Sequence, residues 1–539
     1  MEEERIIRGP PGPKLRNMSV GQLILEQLQT SPLRIVQIDA HTGKILTSHD
    51  LLEKSVRLAV ALQEWGLNSD DVVAISSETQ SNWFVAACAA MYLGNCVAPF
   101  NPAYVENEIR HVLMISRPRI IFVSRRTSGS VRRVALTLPW EIEIIQLDEE
   151  NPIEDIVTVR GMISGGRQWP DPHRYQAVVV DEPSTREAVI LCSSGTTGLP
   201  KGVMLSHKNI LAASRCAHLL DFVPTGHGIP VVMFFLPLFH GYGLATMLTV
   251  IQANATAVMM KSFEPKLFCE SVQKYRVTFI PLVPPIMGFL AKHPIVDNYD
   301  FSSVREIVCG AAPLSREVLE AVQKRMKNKE MTIRNGYGMT ELSVITHISD
   351  HFTKKADTLG SAVTGIQLKV IDPETGKCLG PNKTGELCFK GDHVMMGYKG
   401  DPRATAETID STGWLHTGDL GYYDTDGELF VVGRLKELIK YKGFQIAPAE
   451  IENLLMSHDQ VEDAAVVGRN DDVAGEIPLA FVVRRKGANV TAEELCRFVN
   501  GQLSAQKHLR GGVRFIEAIP KNPGGKILRR ELLKLLPKL

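Results

Sequence analysis

The sequence predicts an α/β protein with a large N-terminal domain of several α/β subdomains and a small α+β C-terminal domain. Short apolar runs, typical of buried parallel strands, recur along most of the chain, and helical patterns separate them. After Gly433 the pattern changes, and about 100 residues with their own strand and helix patterns follow, enough for a separate unit. We therefore expect domains at 1–433 and 434–539.

Four apolar stretches illustrate the N-terminal alternation. Val72–Ser76, Arg119–Val123 and Ala188–Cys192 are short continuous apolar runs, which predict buried strands. Trp83–Leu93 is long enough for a buried helix instead. This order predicts parallel strands joined by crossover helices.

Residues 222–260 contain no Asp, Glu, Lys or Arg and therefore need a separate test for a membrane span. Pro230, Pro237 and Gly241 interrupt the run, so a spanning helix is a poor interpretation. A buried strand, a loop and a buried helix are expected.

The C-terminal elements are predicted in the same way. Arg434–Gly443 is basic and turn-like, and Pro448–Met456 has a helical pattern. Two strand-like runs follow at Ala464–Val467 and Leu479–Val483. A capping box at Thr491–Glu494 then predicts the start of another helix.

Composition excludes several functional classes. The 60 basic and 60 acidic residues balance, so there is no bulk positive charge to favour a nucleic acid as the partner. Hydrophobic residues make up 44% and charged residues 22%, which is ordinary for globular proteins. The nine cysteines are scattered without a C-x-x-C pair, so neither a zinc site nor a disulfide framework is expected, and a reducing compartment is favoured. No feature requires an oligomer, and we expect a monomer or weak dimer.

The two ends of the chain bear on localisation. The acidic start Met1–Arg5 lacks the basic and apolar regions of a secretory signal. Pro537-Lys538-Leu539 is a weak variant of the Ser-Lys-Leu address that a peroxisomal import receptor reads. The alternative is a basic helix end that finishes in Leu. We expect a peroxisomal or cytosolic protein.

The most informative segment follows the predicted strand Ala188–Cys192. Residues 193–202 combine three glycines, four hydroxyl side chains and Lys201, which together can approach and bind phosphate oxygens. The alternative, a Gly/Ser surface turn, rarely combines all of these. Because Lys201 follows Pro200, the segment is not a Walker A loop, and Gly336-Tyr337-Gly338 lacks the third glycine of a dinucleotide fingerprint.

Residues 193–201 resemble the signature of the acyl-adenylate-forming superfamily, which includes acyl-CoA synthetases, peptide-synthetase adenylation domains and beetle luciferases. Four further blocks match in the same order. They lie at 335–341, 413–419, 433–452 and 520–526. The resemblance covers nearly the whole chain, and the 4-coumarate:CoA ligase and insect luciferase-like branches look most similar.

The resemblance implies a large N-terminal domain, a mobile C-terminal lid and two half-reactions. A carboxylate first attacks the α-phosphorus of ATP to form acyl-AMP and pyrophosphate, and a thiol, usually that of coenzyme A, then displaces AMP. ATP, Mg²⁺ and coenzyme A are the implied co-substrates and metal. The implied activity is an ATP-dependent acid–CoA ligase for a fatty acid or a 4-coumarate-like aryl acid.

The resemblance also implies roles for individual residues in nucleotide binding. Lys201 would contact the β- and γ-phosphates, Thr340 the α-phosphate, and Glu341 the magnesium ion. Tyr337 would stack on adenine, while Asp419 would accept hydrogen bonds from the ribose hydroxyls with support from Arg434. The other implied nucleotide-binding residues are Ser193, Ser194, Gly195, Thr196, Thr197, Gly198, Gly310, Ala311, Ala312, Asn335, Gly336 and Gly338.

Further implied roles concern catalysis, the acyl group and coenzyme A. Lys526 resembles the lysine that bridges carboxylate and phosphate during adenylation, although an isolated Gly-Lys would be interpreted as a solvated turn. His240 and Tyr242 resemble the aromatic wall of the acyl pocket, with a buried core histidine as the alternative. After lid rotation, Lys436 and Lys440 would face acyl-AMP. Lys261, Lys442 and Gly443 are the implied coenzyme A contacts, with a basic solvated surface as the alternative.

Three positions differ from parts of the family. Gly433 replaces the usual hinge Asp, which leaves the balance between the lid positions open. Ala311 and Val344 resemble coenzyme A ligases more than beetle luciferases. The alternatives are a luciferase-type monooxygenase, an inactive nucleotide-binding homologue and an adenylation domain that feeds a carrier protein.

Overall fold

The computed structural model describes most of the chain. The described residues are 5–148, 152–165, 168–193, 200–215, 228–310, 316–326, 331–350, 355, 358–442, 444–471, 473–521 and 527–536. No helix within these ranges is both long and apolar enough to cross a membrane.

Two large sheets form the centre of the N-terminal part, and both are parallel in the middle and antiparallel at an edge. The strands of the eight-stranded sheet are, in spatial order, Gly397–Tyr398, Lys201–Ser206, Glu187–Ser193, Cys96–Pro99, Val72–Ser76, Ile120–Val123, Glu143–Gln146 and Val157–Thr158. Those of the nine-stranded sheet are Ser361–Ala362, His347–Ile348, Thr332–Tyr337, Glu306–Cys309, Phe279–Leu282, Val231–Phe234, Thr256–Met259, Ile35–Asp39 and Ile45–Thr47.

Helices cover these sheets, and the largest apolar core joins residues of both sheets to the helices between them. The helix Ser81–Tyr92 is buried along its whole length, so its apolar sequence is explained by packing. The helices of the N-terminal part are Val20–Thr30, Ser48–Glu64, Ser81–Tyr92, Glu106–Ser116, Arg125–Ala135, Val159–Ile163, His207–Ser214, Gly241–Gln252, Pro265–Lys274, Pro284–Lys292, Arg316–Met326 and Pro402–Thr408.

A third, antiparallel sheet completes this part of the chain. Its strands are Ile7–Arg8, Ile366–Ile371, Gly385–Gly391, Leu415–Tyr423 and Leu429–Arg434. The last of these strands ends at Arg434, next to the expected domain boundary, so this sheet leads directly into the C-terminal segment.

The segment after Arg434 has its own sheet and its own apolar cores. Its strands are Phe444–Ile446, Ile439–Tyr441, Gly475–Arg484, Val461–Asp471 and Gly512–Phe515, and its helices are Pro448–Ser457, Ala492–Asn500 and Arg529–Lys534. Sheet and helices together give the α+β class predicted for this segment.

Arg529 ties together three parts of the C-terminal segment. Its guanidinium donates to Glu437 Oε2 at 2.9 Å, to Glu452 Oε2 at 3.1 Å and to the carbonyl of Val466 at 2.8 Å. Burial alone would lower the pKa of this guanidinium, but the two carboxylates raise the pKa by more than burial lowers it. Arg529 therefore stays charged. The short 3₁₀ helix Leu435–Glu437, immediately after Arg434, is therefore fixed to the body of the segment.

The predicted strands and helices are confirmed, with boundaries that differ by a few residues, and two interpretations need correction. The uncharged run continues beyond its buried helix into a further strand, Thr256–Met259, which pairs with Val231–Phe234. Residues 434–443, predicted to be turn-like, contain the strand Ile439–Tyr441. This strand pairs with two others, and its Ile439 and Tyr441 side chains are buried, so tertiary pairing outweighs the local basic character.

Candidate active site

A cavity of about 210 Å³ opens at the carboxyl ends of central strands in the nine-stranded sheet, where ligands bind in open α/β sheets. Seven of the residues predicted for the site line it: His240, Tyr242, Gly310, Gly336, Tyr337, Gly338 and Thr340. The structure therefore brings the predicted nucleotide and acyl contacts to one place.

The residues predicted for the nucleoside lie in contact with one another. Tyr337 Oη donates to Asp419 Oδ2 at 2.6 Å, and Arg434 Nε lies 2.8 Å from Asp419 Oδ1. Asp419 is only 4% exposed. Burial, followed by the Asp419 carboxylate, raises the pKa of Tyr337, so this hydroxyl keeps its proton and remains a donor. The carboxylate is thus held beside the ring that would contact adenine.

Tyr337 is also held from behind. Its ring stacks on Phe389, with the centroids 5.8 Å apart and the planes at 28°. Offset stacking of this kind fixes the ring orientation. Phe389 lies on the strand Gly385–Gly391, so the third sheet supports the nucleoside contacts.

The turn after Tyr337 brings two backbone segments unusually close. A Cβ atom on Gly338 would lie 1.7 Å from the carbonyl oxygen of Val344, so only glycine fits there. Ser343 and Val344 have φ angles of 51° and 85°, a left-handed conformation that is costly for a β-branched residue. Such strain is common at ligand sites, and here it folds the turn against the cavity.

The predicted phosphate and magnesium residues meet through Tyr398. Its hydroxyl donates to Glu341 Oε1 at 3.0 Å, and Lys201 Nζ lies 4.6 Å from the centre of its ring. Glu341 is buried, and within the described residues its other carboxylate oxygen makes no hydrogen bond. A buried carboxylate with an oxygen to offer, next to a cation that suits phosphate, fits a Mg²⁺–nucleotide complex.

Two buried polar atoms near the predicted phosphate and adenine contacts lack a hydrogen-bond partner among the residues described. They are Ser193 Oγ, at the end of the strand Glu187–Ser193, and Asn335 Oδ1, on the strand Thr332–Tyr337. Because buried polar atoms are normally satisfied, these positions fit a polar ligand.

The acyl end of the cavity is apolar. None of the lining residues in the described ranges is Asp, Glu, Lys or Arg. Three lining hydroxyls donate to backbone carbonyls: Tyr242 to Val308 at 3.0 Å, Thr246 to Tyr242 at 2.8 Å and Thr249 to Ala245 at 2.9 Å. The wall therefore presents mainly carbon surface to a ligand.

His240 is the exception in this wall. It is the N-cap residue of the helix Gly241–Gln252, and burial lowers the pKa of its imidazole. A neutral imidazole in the lining of the cavity can hydrogen-bond to a carboxylate or an acyl phosphate without introducing a net charge.

The predicted lid and coenzyme A lysines do not line this cavity. Lys436, Lys440 and Lys442 are exposed. Lys261 is exposed in a separate polar groove that also contains Arg125 and Arg126. Their predicted roles depend on lid rotation and remain predictions.

Several predicted positions lie outside the described residues. They are Ser194, Gly195, Thr196, Thr197, Gly198, Ala311, Ala312, Gly443, Lys526 and Pro537-Lys538-Leu539.

Sequence reasoning missed Tyr398 and Phe389. Both act across distant parts of the chain: Tyr398 lies on the two-residue edge strand Gly397–Tyr398 beside Val203, and Phe389 lies in the interior of a sheet strand. No local pattern marks either residue as part of a site.

Comparison with known proteins gives consistent results. The AMP-binding enzyme family matches residues 24–399, and the AMP-binding enzyme C-terminal domain matches residues 450–526. A luciferin 4-monooxygenase of Photuris pensylvanica is 39% identical, over 100% of this chain and 99% of that protein. A 4-coumarate–CoA ligase of Vanilla planifolia is 38% identical, over 96% of this chain and 94% of that protein.

Among solved structures, ATP-bound MatB from Rhodopseudomonas palustris superposes with a TM-score of 0.86 at 25% identity, covering 95% of this chain and 98% of that one. The fold and the site thus define an enzyme that binds an adenine nucleotide. The chain belongs to the AMP-binding enzyme family and hence to the acyl-adenylate-forming superfamily.

Proposed function

We propose that this chain is an ATP-dependent carboxylic acid–CoA ligase, and that its preferred substrates are straight-chain fatty acids. The observation that carries the proposal is the apolar cavity, which has no charged lining residue in the described ranges and which is also lined by Thr340, the predicted α-phosphate contact. A single carboxylate at the mouth with a hydrocarbon tail inside matches this distribution of polarity.

The length of the cavity favours an aliphatic tail. Its lining follows the helix Gly241–Gln252 from Gly241 to Thr249, a rise of about 12 Å along the axis. An extended chain covers about 1.2 Å per bond, as in the polypeptide backbone, so about ten carbons fit along this path. A 4-coumarate-like acid, the alternative substrate class, would fill only part of it.

The polarity of the far end supports the same conclusion. Because Thr249 donates its proton to the Ala245 carbonyl and Ser214 donates to that of Leu211 at 2.9 Å, a phenol oxygen would find no ready donor in these two hydroxyls and could only donate to them. A methylene chain requires no such partner.

In the first half-reaction, a carboxylate oxygen of the acid forms a bond to the α-phosphorus of ATP, and the bond to the pyrophosphate oxygen breaks. Lys201 would neutralise phosphate charge, and the Glu341 carboxylate would hold Mg²⁺, which would stabilise the negative charge of the phosphates. Asp419 and Tyr337 would fix the nucleoside. In the second half-reaction the coenzyme A sulfur attacks the acyl carbon and AMP leaves.

A luciferase-type monooxygenase shares the first half-reaction, and luciferin 4-monooxygenases are among the relatives. The Val344 side chain argues against this alternative. It packs close to Gly241, which has no side chain and therefore leaves space for it. At this position beetle luciferases have a small hydroxyl residue, whereas Val344 presents only carbon.

The test is an assay with Mg²⁺ and ATP, a panel of straight-chain acids of increasing length, 4-coumarate and luciferin, each with and without coenzyme A. Pyrophosphate and thioester are measured separately. We expect thioester to match pyrophosphate, with the highest kcat/KM for acids of about ten carbons. Pyrophosphate without thioester, or light from luciferin, would contradict the ligase assignment.

A pair of variants controls for folding. Lys201→Met should abolish pyrophosphate release, because it removes the proposed phosphate cation. Lys208→Met removes a lysine that pairs at the surface with Asp392 at 2.9 Å and should leave the rates unchanged.

A further inference from the structure

His416 lies between two carboxylates at the edge of the nucleoside site. Its Nδ1 lies 3.0 Å from Glu386 Oε2, and its Nε2 lies 3.6 Å from Asp410 Oδ2. Both ring nitrogens of an imidazolium are donors, so a protonated His416 can interact favourably with the Glu386 and Asp410 carboxylates at the same time.

The same residues hold an irregular stretch of the sheet. In the pairing of strands Gly385–Gly391 and Leu415–Tyr423, Glu386 faces Leu420 while Cys388 faces His416. Glu386 and Cys388 are two residues apart on one strand, whereas their partners Leu420 and His416 are four apart on the other. Residues 417–419 therefore form a bulge. Bulges next to active sites redirect side chains, and this one contains Asp419.

Glu386 fixes the bulge directly. Its Oε1 accepts from the backbone N–H of Gly418 at 3.1 Å, and Gly418 has a φ of +67°, a conformation that favours glycine. Thr417 Oγ1 donates to the Leu387 carbonyl at 2.8 Å and accepts from the Asp419 N–H at 2.9 Å. One Glu386 oxygen therefore holds the bulge while the other faces His416.

We propose that His416 is a positioning residue for nucleotide binding: placed between Glu386 and Asp410, it orients Glu386, which holds the bulge that presents Asp419 to the ribose of AMP or ATP. The proposal rests on the proposed ribose-binding role of Asp419. His416 itself does not contact the nucleotide.

The charges around His416 favour the imidazolium. The hydrogen bond to Glu386 raises the pKa of His416 despite the opposing effect of burial, and Asp410 adds to the rise. Although burial raises the pKa of Asp410, hydrogen bonds from Thr412 and Trp414 lower it to about 2, so this carboxylate is ionised at neutral pH. The other charged or titratable groups that face the cluster are Cys388, Lys369 and Lys390.

Glu386, Cys388 and His416 also have the composition of a metal site, with ligand atoms within 4.8 Å of one another. Burial raises the pKa of the Cys388 thiol, which keeps it protonated, and protonated thiols are poor metal ligands. The hydrogen bonds of His416 and Glu386 account for the cluster without an ion.

The test compares binding of AMP and 2′,3′-dideoxy-AMP by calorimetry, which requires neither the acid nor coenzyme A. The ratio of the two affinities measures the ribose contribution. We expect His416→Gln to weaken AMP binding about tenfold and to leave binding of the dideoxy nucleotide nearly unchanged. His416→Arg, which keeps a cation between the carboxylates, should restore most of the ratio. The matched control Cys388→Ala should behave as the wild type.

A purely structural role predicts a different result: both nucleotides weaken equally and the melting temperature falls, which would overturn the proposal. A metal found in the purified protein and lost in Cys388→Ala would overturn it as well. If the wild type does not distinguish the two nucleotides, the ribose role of Asp419 fails, and the proposal fails with it.

The pH dependence of the wild type provides a test without a variant. Because the pKa of His416 is raised, the ribose contribution should be complete at low pH and should fall as the pH rises through that pKa. The phosphate group titrates in both nucleotides, so its effect cancels in the ratio of the AMP and dideoxy-AMP affinities. A ratio that stays flat between about pH 6 and pH 9 would contradict the proposal.

Discussion

Ala245→Phe should convert the proposed fatty-acid pocket into a short-chain pocket. Ala245 lines the cavity one helical turn before Thr249, so a benzyl group there would close the distal part of the path. Acids short enough to end before this turn should bind as in the wild type. Longer acids should lose the contacts beyond it.

The magnitude follows from the helix geometry. One turn from Ala245 to Thr249 is about 6 Å, which corresponds to about five methylene groups at about 1.2 Å per bond. Burial of five methylene groups contributes about 4 kcal/mol at about 0.8 kcal/mol each. If half of this is lost because the tail is displaced elsewhere, kcat/KM for long acids should fall about thirtyfold relative to short ones.

The assay is pyrophosphate release across the same acid panel. Thr249→Val is the matched control, because it keeps the volume and removes only a hydroxyl that donates within its own helix. It should keep the wild-type length profile. An unchanged profile in Ala245→Phe, with normal folding, would refute the assignment of the tail to this part of the cavity.

Three further changes test the site and the fold. Tyr398→Phe removes the donor to Glu341 and should lower the free energy of unfolding by about 1–3 kcal/mol in urea; no change would contradict the buried hydrogen bond. Arg334→Met removes an ion pair with Glu306, in which both side chains are 5% exposed, and should cost about 3–5 kcal/mol, whereas a loss below about 1 kcal/mol would indicate a solvated pair. Gly338→Ala should abolish pyrophosphate release, because the added methyl group has no space; wild-type rates would show that the turn can relax.

Much of the N-terminal fold could be predicted because several of its strands, such as Val72–Ser76 and Ile120–Val123, are short continuous apolar runs. Val72–Ser76 is observed with the predicted bounds, and the predicted helix Trp83–Leu93 is observed as Ser81–Tyr92. The strand Thr256–Met259 was missed, since it lies in a long uncharged run where periodicity does not separate helix from strand.

The site shows what sequence motifs can and cannot predict. Motif blocks identified Tyr337 and Asp419, but their hydrogen bond joins residues 82 positions apart, which no local pattern encodes. Tyr398 was missed for the same reason, because its link to Lys201 and Glu341 exists only after the strands pair. His416 lay within a recognised block, but its place between Glu386 and Asp410, beside the sheet irregularity, is not encoded in that block.

The contacts on either side of the domain connection limit how the C-terminal segment can move. Arg434 is paired with Asp419 in the N-terminal part, while Glu437, three residues later, is bound to Arg529 in the C-terminal part. Three residues span at most about 10 Å when fully extended, so the connection acts as a short tether that permits rotation but little separation. The C-terminal segment therefore remains at an effective concentration of about millimolar or above around the predicted nucleotide site.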